Sequence, residues 1–280
     1  MNRPVSILVL TKNEEKDLPG CLKSVLWSDD IHVYDSFSED NTVAIAHSFN
    51  AKVTQRIFDN WAAHQNWGLQ NIPFKYEWVF YIDADERVTS ELVTNIKTAI
   101  ENPGECVAFR IQRRDFFMER WLKHVQTSPF YLRLFRPEKM RYERLVNPVS
   151  LPDGPIGQLE GYLDHFPFSK GISHWLERHN SYSSLEAKQI VNNRLNSEKF
   201  SIYKAVFSQD FHQKRFHQKE LFYRSPGRPL IKFILLYILK RGFLDGKAGF
   251  TYALLQSIYE YMIVLKTQEL EALKNIKISN

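Results

Sequence analysis

Glycine is scarce in this chain of 280 residues: there are eleven, and the first stands at position 20. Neither G-x-G-x-x-G nor G-x-x-x-x-G-K-[ST] occurs. That excludes the glycine-lined phosphate cradles of dinucleotide dehydrogenases and P-loop enzymes, and disfavours nucleotidyltransferases with a glycine-rich first loop. The two cysteines, Cys21 and Cys106, lie far apart with no C-x-x-C pattern. A disulfide framework or structural zinc site is thereby excluded, and a reducing compartment, the cytoplasm, is expected. The opening apolar stretch Val5-Ser6-Ile7-Leu8-Val9-Leu10 is too short for a signal-peptide core and runs straight into charged residues, so it reads as a first strand. Internal repeats and low-complexity linkers are absent as well.

What is present is an ordinary globular composition, 44% hydrophobic, enough for one large domain or one domain with an extension. Net charge is +5 but unevenly spread. Residues 1–103 hold nine Lys/Arg against fifteen Asp/Glu, whereas the remainder holds 28 against 17. Two halves of opposite sign face different partners.

The N-terminal half alternates short apolar strands with helices, the pattern of parallel βαβ units. A strand ending at Leu10 leads into the polar loop Thr11-Lys12-Asn13-Glu14-Glu15 and a helix over Leu18–Leu26. Ile31-His32-Val33-Tyr34 ends at Asp35 and is followed by the polar turn Ser36–Thr42 and a helix over Val43–Phe49. Ala51–Thr54 forms a third strand, and Trp61–Leu69 is helical. The fourth strand, Trp78-Val79-Phe80-Tyr81-Ile82, stops abruptly in Asp83-Ala84-Asp85-Glu86-Arg87. In open α/β sheets ligands bind beyond the carboxyl ends of strands, so these acids stand where a ligand would. Two aspartates flanking a small residue suit a hard cation that keeps waters and takes further ligands from phosphates. They suit equally an N-cap pair opening the helix that Val88-Thr89-Ser90-Glu91-Leu92 announces.

Taken in order, Ser6–Glu15, then Val33-Tyr34-Asp35-Ser36 with Asp40 and Thr42, then Asp83-Ala84-Asp85-Glu86-Arg87 resemble the signatures of inverting glycosyltransferase family two. Within it, the nearest likeness is to the branch of lipopolysaccharide-core β-glucosyltransferases, over nearly the whole chain. The resemblance implies a GT-A fold: an α/β, Rossmann-like, mostly parallel sheet with flanking helices. It implies a nucleotide-sugar donor held by Thr11, Asn13, Glu14, Asp35, Asp83 and Ala84, and Mg²⁺ or Mn²⁺ on Asp83 and Asp85. His64, Gln65 and Asn66 match a segment near the donor phosphates, with helix surface or capping as their other reading. His165 matches a branch histidine that would complete the metal shell, or serves as a hydrogen-bonded structural residue.

Where the branch reads Val-His-Glu, this chain reads Val146-Asn147-Pro148, so the carboxylate expected to act as base is missing. An inverting transfer needs such a group to take the acceptor proton. Asp153, Glu143 and Asp115 are the nearest candidates, Asp153 first, although an Asp beside Gly154 also simply shapes a turn. The Asn147-Pro148 departure also leaves room for a catalytically weakened member that binds a nucleotide sugar within an assembly.

From 104 to 165, arginines (Arg110, Arg113, Arg114, Arg120, Arg133, Arg136) are interleaved with aromatics. No nucleic-acid-binding module accompanies them, so they read as an acceptor side addressed to an anionic glycan or glycolipid. The expected division is a catalytic domain over 1–200, made of a nucleotide-sugar half to 103 and an acceptor half beyond it. A helical, basic extension over 201–280 follows. There, Leu230–Arg241 is an apolar run broken by Lys232, shorter than the roughly 20 residues of a spanning helix. It suits a helix lying in an anionic membrane interface, which implies peripheral association with the inner face of the cell membrane.

Overall fold

In the computed structural model, residues 5–143, 149–196, 201–208, 210–225 and 227–279 are described. They divide into two compact units, Met1–Trp121 with Ser128–Lys170, and Leu122–Thr127 with Gly171–Asn280. The sequence reading placed the division near residue 200; it falls after Lys170 instead, because the helix that starts at Ile172 packs along the last helix of the chain.

The first unit begins β1 (Ser6–Thr11), α1 (Leu18–Val25), β2 (Ile31–Asp35), α2 (Thr42–Ser48), β3 (Lys52–Gln55), α3 (Trp61–Asn71) and β4 (Val79–Asp83). It continues with β5 (Glu86–Val88), α4 (Ser90–Glu101), β6 (Ala108–Phe117), β7 (Arg120–Trp121), β8 (Phe130–Phe135), β9 (Met140–Glu143), β10 (Val149–Pro152) and β11 (Ile156–His165). The main sheet runs β3-β2-β1-β4-β8-β6-β11-β5, with β7 on β6 and with β9 and β10 as a separate ribbon. Strands β3, β2, β1 and β4 are mutually parallel. β8 is antiparallel to both of its neighbours, and β5 is antiparallel to β11. This is the expected α/β, mostly parallel, GT-A-like arrangement.

Side chains along β1 and β4 alternate between two cores, which is why these strands read as nearly continuous apolar runs. Ile7, Val9, Phe80 and Ile82 pack with Leu18 and Leu22 of α1 and with Leu92, Ile96 and Ile100 of α4. Leu8, Val79 and Tyr81 face the other way with Tyr34, Phe135 and Tyr142. Gly161 lets α4 lie close on β11: its φ is +87°, and a Cβ there would sit 3.0 Å from the Leu92 backbone.

The second unit is helical: α5 (Ile172–Asn196), α6 (Ile202–Phe207), α7 (Phe211–Arg224), α8 (Arg228–Ile234), a π turn over Leu235–Leu239, and α9 (Gly246–Ser279). Buried Asp245 fixes the 122–127 segment to it, accepting from the Val125 amide at 2.8 Å and the His124 amide at 2.9 Å.

Candidate active site

The parallel register brings the carboxyl ends of three strands together. Thr11 lies opposite Asp35, and Leu10 lies opposite Asp83. Asp35 is completely buried. Its oxygens accept from the Thr11 hydroxyl at 2.9 Å, the Ser38 amide at 2.9 Å, Gln55 Nε2 at 3.0 Å and the Ser38 hydroxyl. Burial pushes its carboxyl up, but these donors outweigh it and hold the group below the usual carboxylate range. Each of its two oxygens thus has two donors from the protein itself.

The loops after β1 and β2 are laced together. Asn13, in the left-handed region at φ 56°, donates its amide to Ser38 Oγ at 2.8 Å and accepts from the Glu39 amide at 2.9 Å. The Glu14 amide donates to Thr42 Oγ1 at 2.7 Å, and its carboxylate pairs with Lys170 at 2.7 Å. Burial pushes the Glu14 carboxyl up to about 7, against the opposing pull of Lys170.

At the tip of β4, Asp83 and Asp85 do not cap a helix. A short strand, β5, intervenes, and the N-cap of α4 is Thr89, whose hydroxyl accepts from the Leu92 amide at 3.3 Å. The helix-start reading of the aspartates is thereby corrected. The Asp83 side chain is 36% exposed, whereas that of Glu86 is 0%. Asp83 accepts from the Tyr81 hydroxyl and from Arg133 Nη2 at 2.6 Å; the same Nη2 donates to Glu86 at 2.7 Å. The Asp83 amide donates to Glu86 Oε2 at 3.0 Å. Burial pushes the Glu86 carboxyl up while Arg133 pulls it down; the net direction is upward. Ala84 is buried, and its carbonyl accepts from Arg87 at 2.8 Å.

His165 bridges two acids: Nε2 lies 3.2 Å from Asp85, and Nδ1 contacts Asp115, which also takes Arg113 Nε at 3.1 Å. Burial works against the imidazolium, but the two carboxylates prevail and push its pKa up to about 9. His165 is thus an ion-paired neighbour of Asp85. Among the described residues no group of three or more His, Cys, Asp and Glu is gathered to hold a metal. The donor set therefore does not fit an all-protein cage. It does fit a hard cation held by Asp83 and Asp85 that draws its other ligands from water and a diphosphate.

Other expected residues are placed elsewhere. Both ends of the Asn66 amide are taken by the Tyr142 backbone, each at 2.8 Å, so Asn66 docks β9 on α3 instead of facing a ligand. His64 stacks on Tyr34 at 4.2 Å and lies 3.3 Å from Ser36 Oγ. Burial, then Arg56, lowers its pKa to about 4, leaving a neutral ring beside the β2 loop. Gln65 is buried. The arginines expected to face an acceptor are largely tied to carboxylates of the protein itself: Arg113 to Asp115, Arg114 to Asp164, Arg133 to Asp83 and Glu86, and Arg136 to Glu77. They also lie over neighbouring rings, as Arg133 does 4.4 Å from the Tyr81 centroid.

Of the three candidate bases, Asp115 is buried under Arg113 and His165. Asp153 sits 79% exposed in the turn before β11. The start of β11 aligns with Ala108, Ala108 with Phe135, and Phe135 with Val79, so Asp153 lies at the end of the sheet where β4 begins, opposite from Asp83. Glu143 is 60% exposed at the end of β9, next to Tyr142, whose hydroxyl feels Arg133 and Asp83. Val146-Asn147-Pro148 lies outside the described residues.

Residues 6–158 match the model of glycosyl transferase family 2. The chain belongs to that family. Among curated relatives, the lipopolysaccharide core biosynthesis glycosyltransferase LpsC of Rhizobium meliloti is 27% identical, over 97% of this chain and 94% of LpsC. An uncharacterized glycosyltransferase of Rickettsia felis is 31% identical over 67% of this chain and 70% of its own length. Among solved structures, glucosyl-3-phosphoglycerate synthase from Mycobacterium tuberculosis aligns over 40% of this chain and 44% of the synthase, at 18% identity and a TM-score of 0.35. Membership of the family makes sugar transfer the activity of this glycosyltransferase.

Proposed function

We propose that this family 2 glycosyltransferase moves a hexose, glucose from UDP-glucose, onto a hydroxyl of a membrane-held glycolipid or polysaccharide precursor, in a single inverting displacement at the cytoplasmic face of the membrane. The observation that carries the reading is the register: Thr11, Asp35 and Asp83 end three adjacent parallel strands, and Asp85 follows at once. The name and near full-length match of LpsC support a lipopolysaccharide-core type of acceptor. Two free cysteines, one of them buried, suit the cytoplasmic side.

Asp83 and Asp85 would hold a divalent ion, which when bound offsets charge on the leaving diphosphate. Asp35 and the interlocked loops of Asn13 and Glu14 orient the nucleoside. Arg133 and Tyr81 fix the Asp83 carboxylate, and His165, braced by Asp115, fixes that of Asp85. Of the three candidate bases, Glu143 is carried forward, because its carboxylate is exposed and its neighbour Tyr142 has a hydroxyl within electrostatic reach of Arg133 and Asp83; Glu143 itself stands on the other face of β9, paired with Arg141. It takes the proton as the acceptor oxygen attacks the anomeric carbon.

A panel of nucleotide sugars with Mg²⁺ or Mn²⁺ and a lipid-linked acceptor extract tests the reading. UDP release that depends on UDP-glucose, with a β-linked product by NMR, is the expected result. Equal turnover by wild type and Asp85→Asn would remove the metal role, and an α-linked product would remove the inverting step.

A further inference from the structure

The helical unit carries an apolar surface that its own packing leaves uncovered. Along α8 and the π turn, Leu230, Ile231, Ile234, Leu235, Ile238 and Leu239 are all exposed, the last at 69%, while Leu236 behind them is buried. Their spacing covers about half the circumference of a helix. On α9, Phe250, Leu254, Ile258, Tyr261 and Leu265 are exposed at three- and four-residue intervals, whereas Ala253, Glu260 and Ile263 are buried. That spacing makes a narrow stripe. The two surfaces meet where Phe250 lies against Phe233 and Tyr237, with ring centroids 5.8 and 5.4 Å apart. At the turn between the helices, Phe243 and Leu244 are exposed as well.

Along residues 227–265 the exposed charge has one sign. Between residues 227 and 265 the two acids are Asp245 and Glu260, both buried. Asp245 is bonded to the His124 segment and Glu260 is paired with Arg228. Lys240, Arg241 and Lys247 stand exposed around the apolar tip. Among the described residues no helix is long and apolar enough to cross a membrane.

We infer that the α8–α9 face lies in the interface of an anionic bilayer, with Ile238, Leu239, Phe243 and Leu244 among the acyl chains and Lys240, Arg241 and Lys247 against lipid phosphates. An apolar stripe under a cationic rim is the pattern of helices that lie on membranes. A second copy of the chain fits the face less well, because a two-fold contact sets like cations against one another. The inference deepens the reading of a membrane-held acceptor, and names the surface that would bring the enzyme to it.

Co-sedimentation of the full chain with vesicles, without nucleotide sugar, tests it. The protein is expected to pellet with mixed phosphatidylcholine–phosphatidylglycerol vesicles and to stay in solution with phosphatidylcholine alone. The triple variant Lys240→Glu/Arg241→Glu/Lys247→Glu lowers partitioning on the order of 100-fold. Ile238→Asp/Leu239→Asp lowers it by roughly 10-fold or more while circular dichroism stays unchanged. If the apolar variant does not fold, the charge variant, altered at exposed positions alone, decides. Equal binding to neutral and anionic vesicles, or unaltered binding by the charge variant, overturns the inference. So does lipid-free self-association that Leu239→Asp disperses. UDP-glucose hydrolysis measured in parallel separates the cases: wild-type protein that hydrolyses UDP-glucose yet does not bind anionic vesicles refutes this surface and leaves sugar transfer standing.

Discussion

The tip of β4 and the α8–α9 hairpin treat charge in opposite ways. Around Asp83 the acids and bases answer one another inside the fold: Arg133 serves Asp83 and Glu86, Arg113 serves Asp115, and His165 serves Asp115 and Asp85. On the hairpin the acids are buried, Glu260 with Arg228 and Asp245 with the His124 segment, while Lys240, Arg241 and Lys247 are left outside, beside exposed leucines and isoleucines. Internal pairing fixes side chains to within the tolerance that chemistry on a small ligand needs. One-signed exposed charge fixes nothing locally, and is directed at an extended surface of the opposite sign.

The largest effect on this contrast comes from breaking the internal pairing. Arg133→Met leaves Glu86 buried beside Asp83 without its closest cation, and should cost about 3–5 kcal/mol of stability in denaturant unfolding. Adding Glu86→Gln should return most of it; a variant as stable as wild type would mean the network is not a structural unit. Next, Glu143→Gln should lower turnover by roughly 10² to 10⁴ with unfolding unchanged. Normal turnover would move the base elsewhere.

A smaller effect is expected from acid. His64 is held neutral, so the unfolded chain takes a proton near pH 6.5 and the folded one only near 4. Stability should therefore fall as pH drops through that window. His64→Phe should flatten the slope; an unchanged slope would contradict the assignment. The smallest effect belongs to Asp153→Asn, at the far end of the sheet, where transfer should stay within about threefold of wild type.

The sequence made the strands and the helices of the N-terminal half legible because each is a local pattern. Strand alternation, the polar loops and the acids at strand ends lie within a few residues of one another, and the observed β1, β2 and β4 end where the residues change from apolar to polar. What joins the site was not legible. The Arg133 contacts to Asp83 and Glu86 span 50 and 47 residues, and the His165 contact to Asp85 spans 80. Composition shows that arginines lie among aromatics, but not that they turn inward. The Asn66 role was missed for the same reason, since its partner is the backbone of a strand 76 residues on. Asp153 is close in sequence to the expected motif, yet the β9–β10 ribbon carries the chain back to the opposite end of the sheet.

The most direct test of the central claim, that the acidic tip of β4 grips a cation and through it a diphosphate, is calorimetric titration of UDP into the protein with and without Mn²⁺. The account predicts Mn²⁺-dependent UDP binding by wild type, weakened by at least about 10-fold in Asp83→Asn and in Asp85→Asn with folding intact. UDP binding that is equally tight without the metal, or unchanged in both variants, would contradict it.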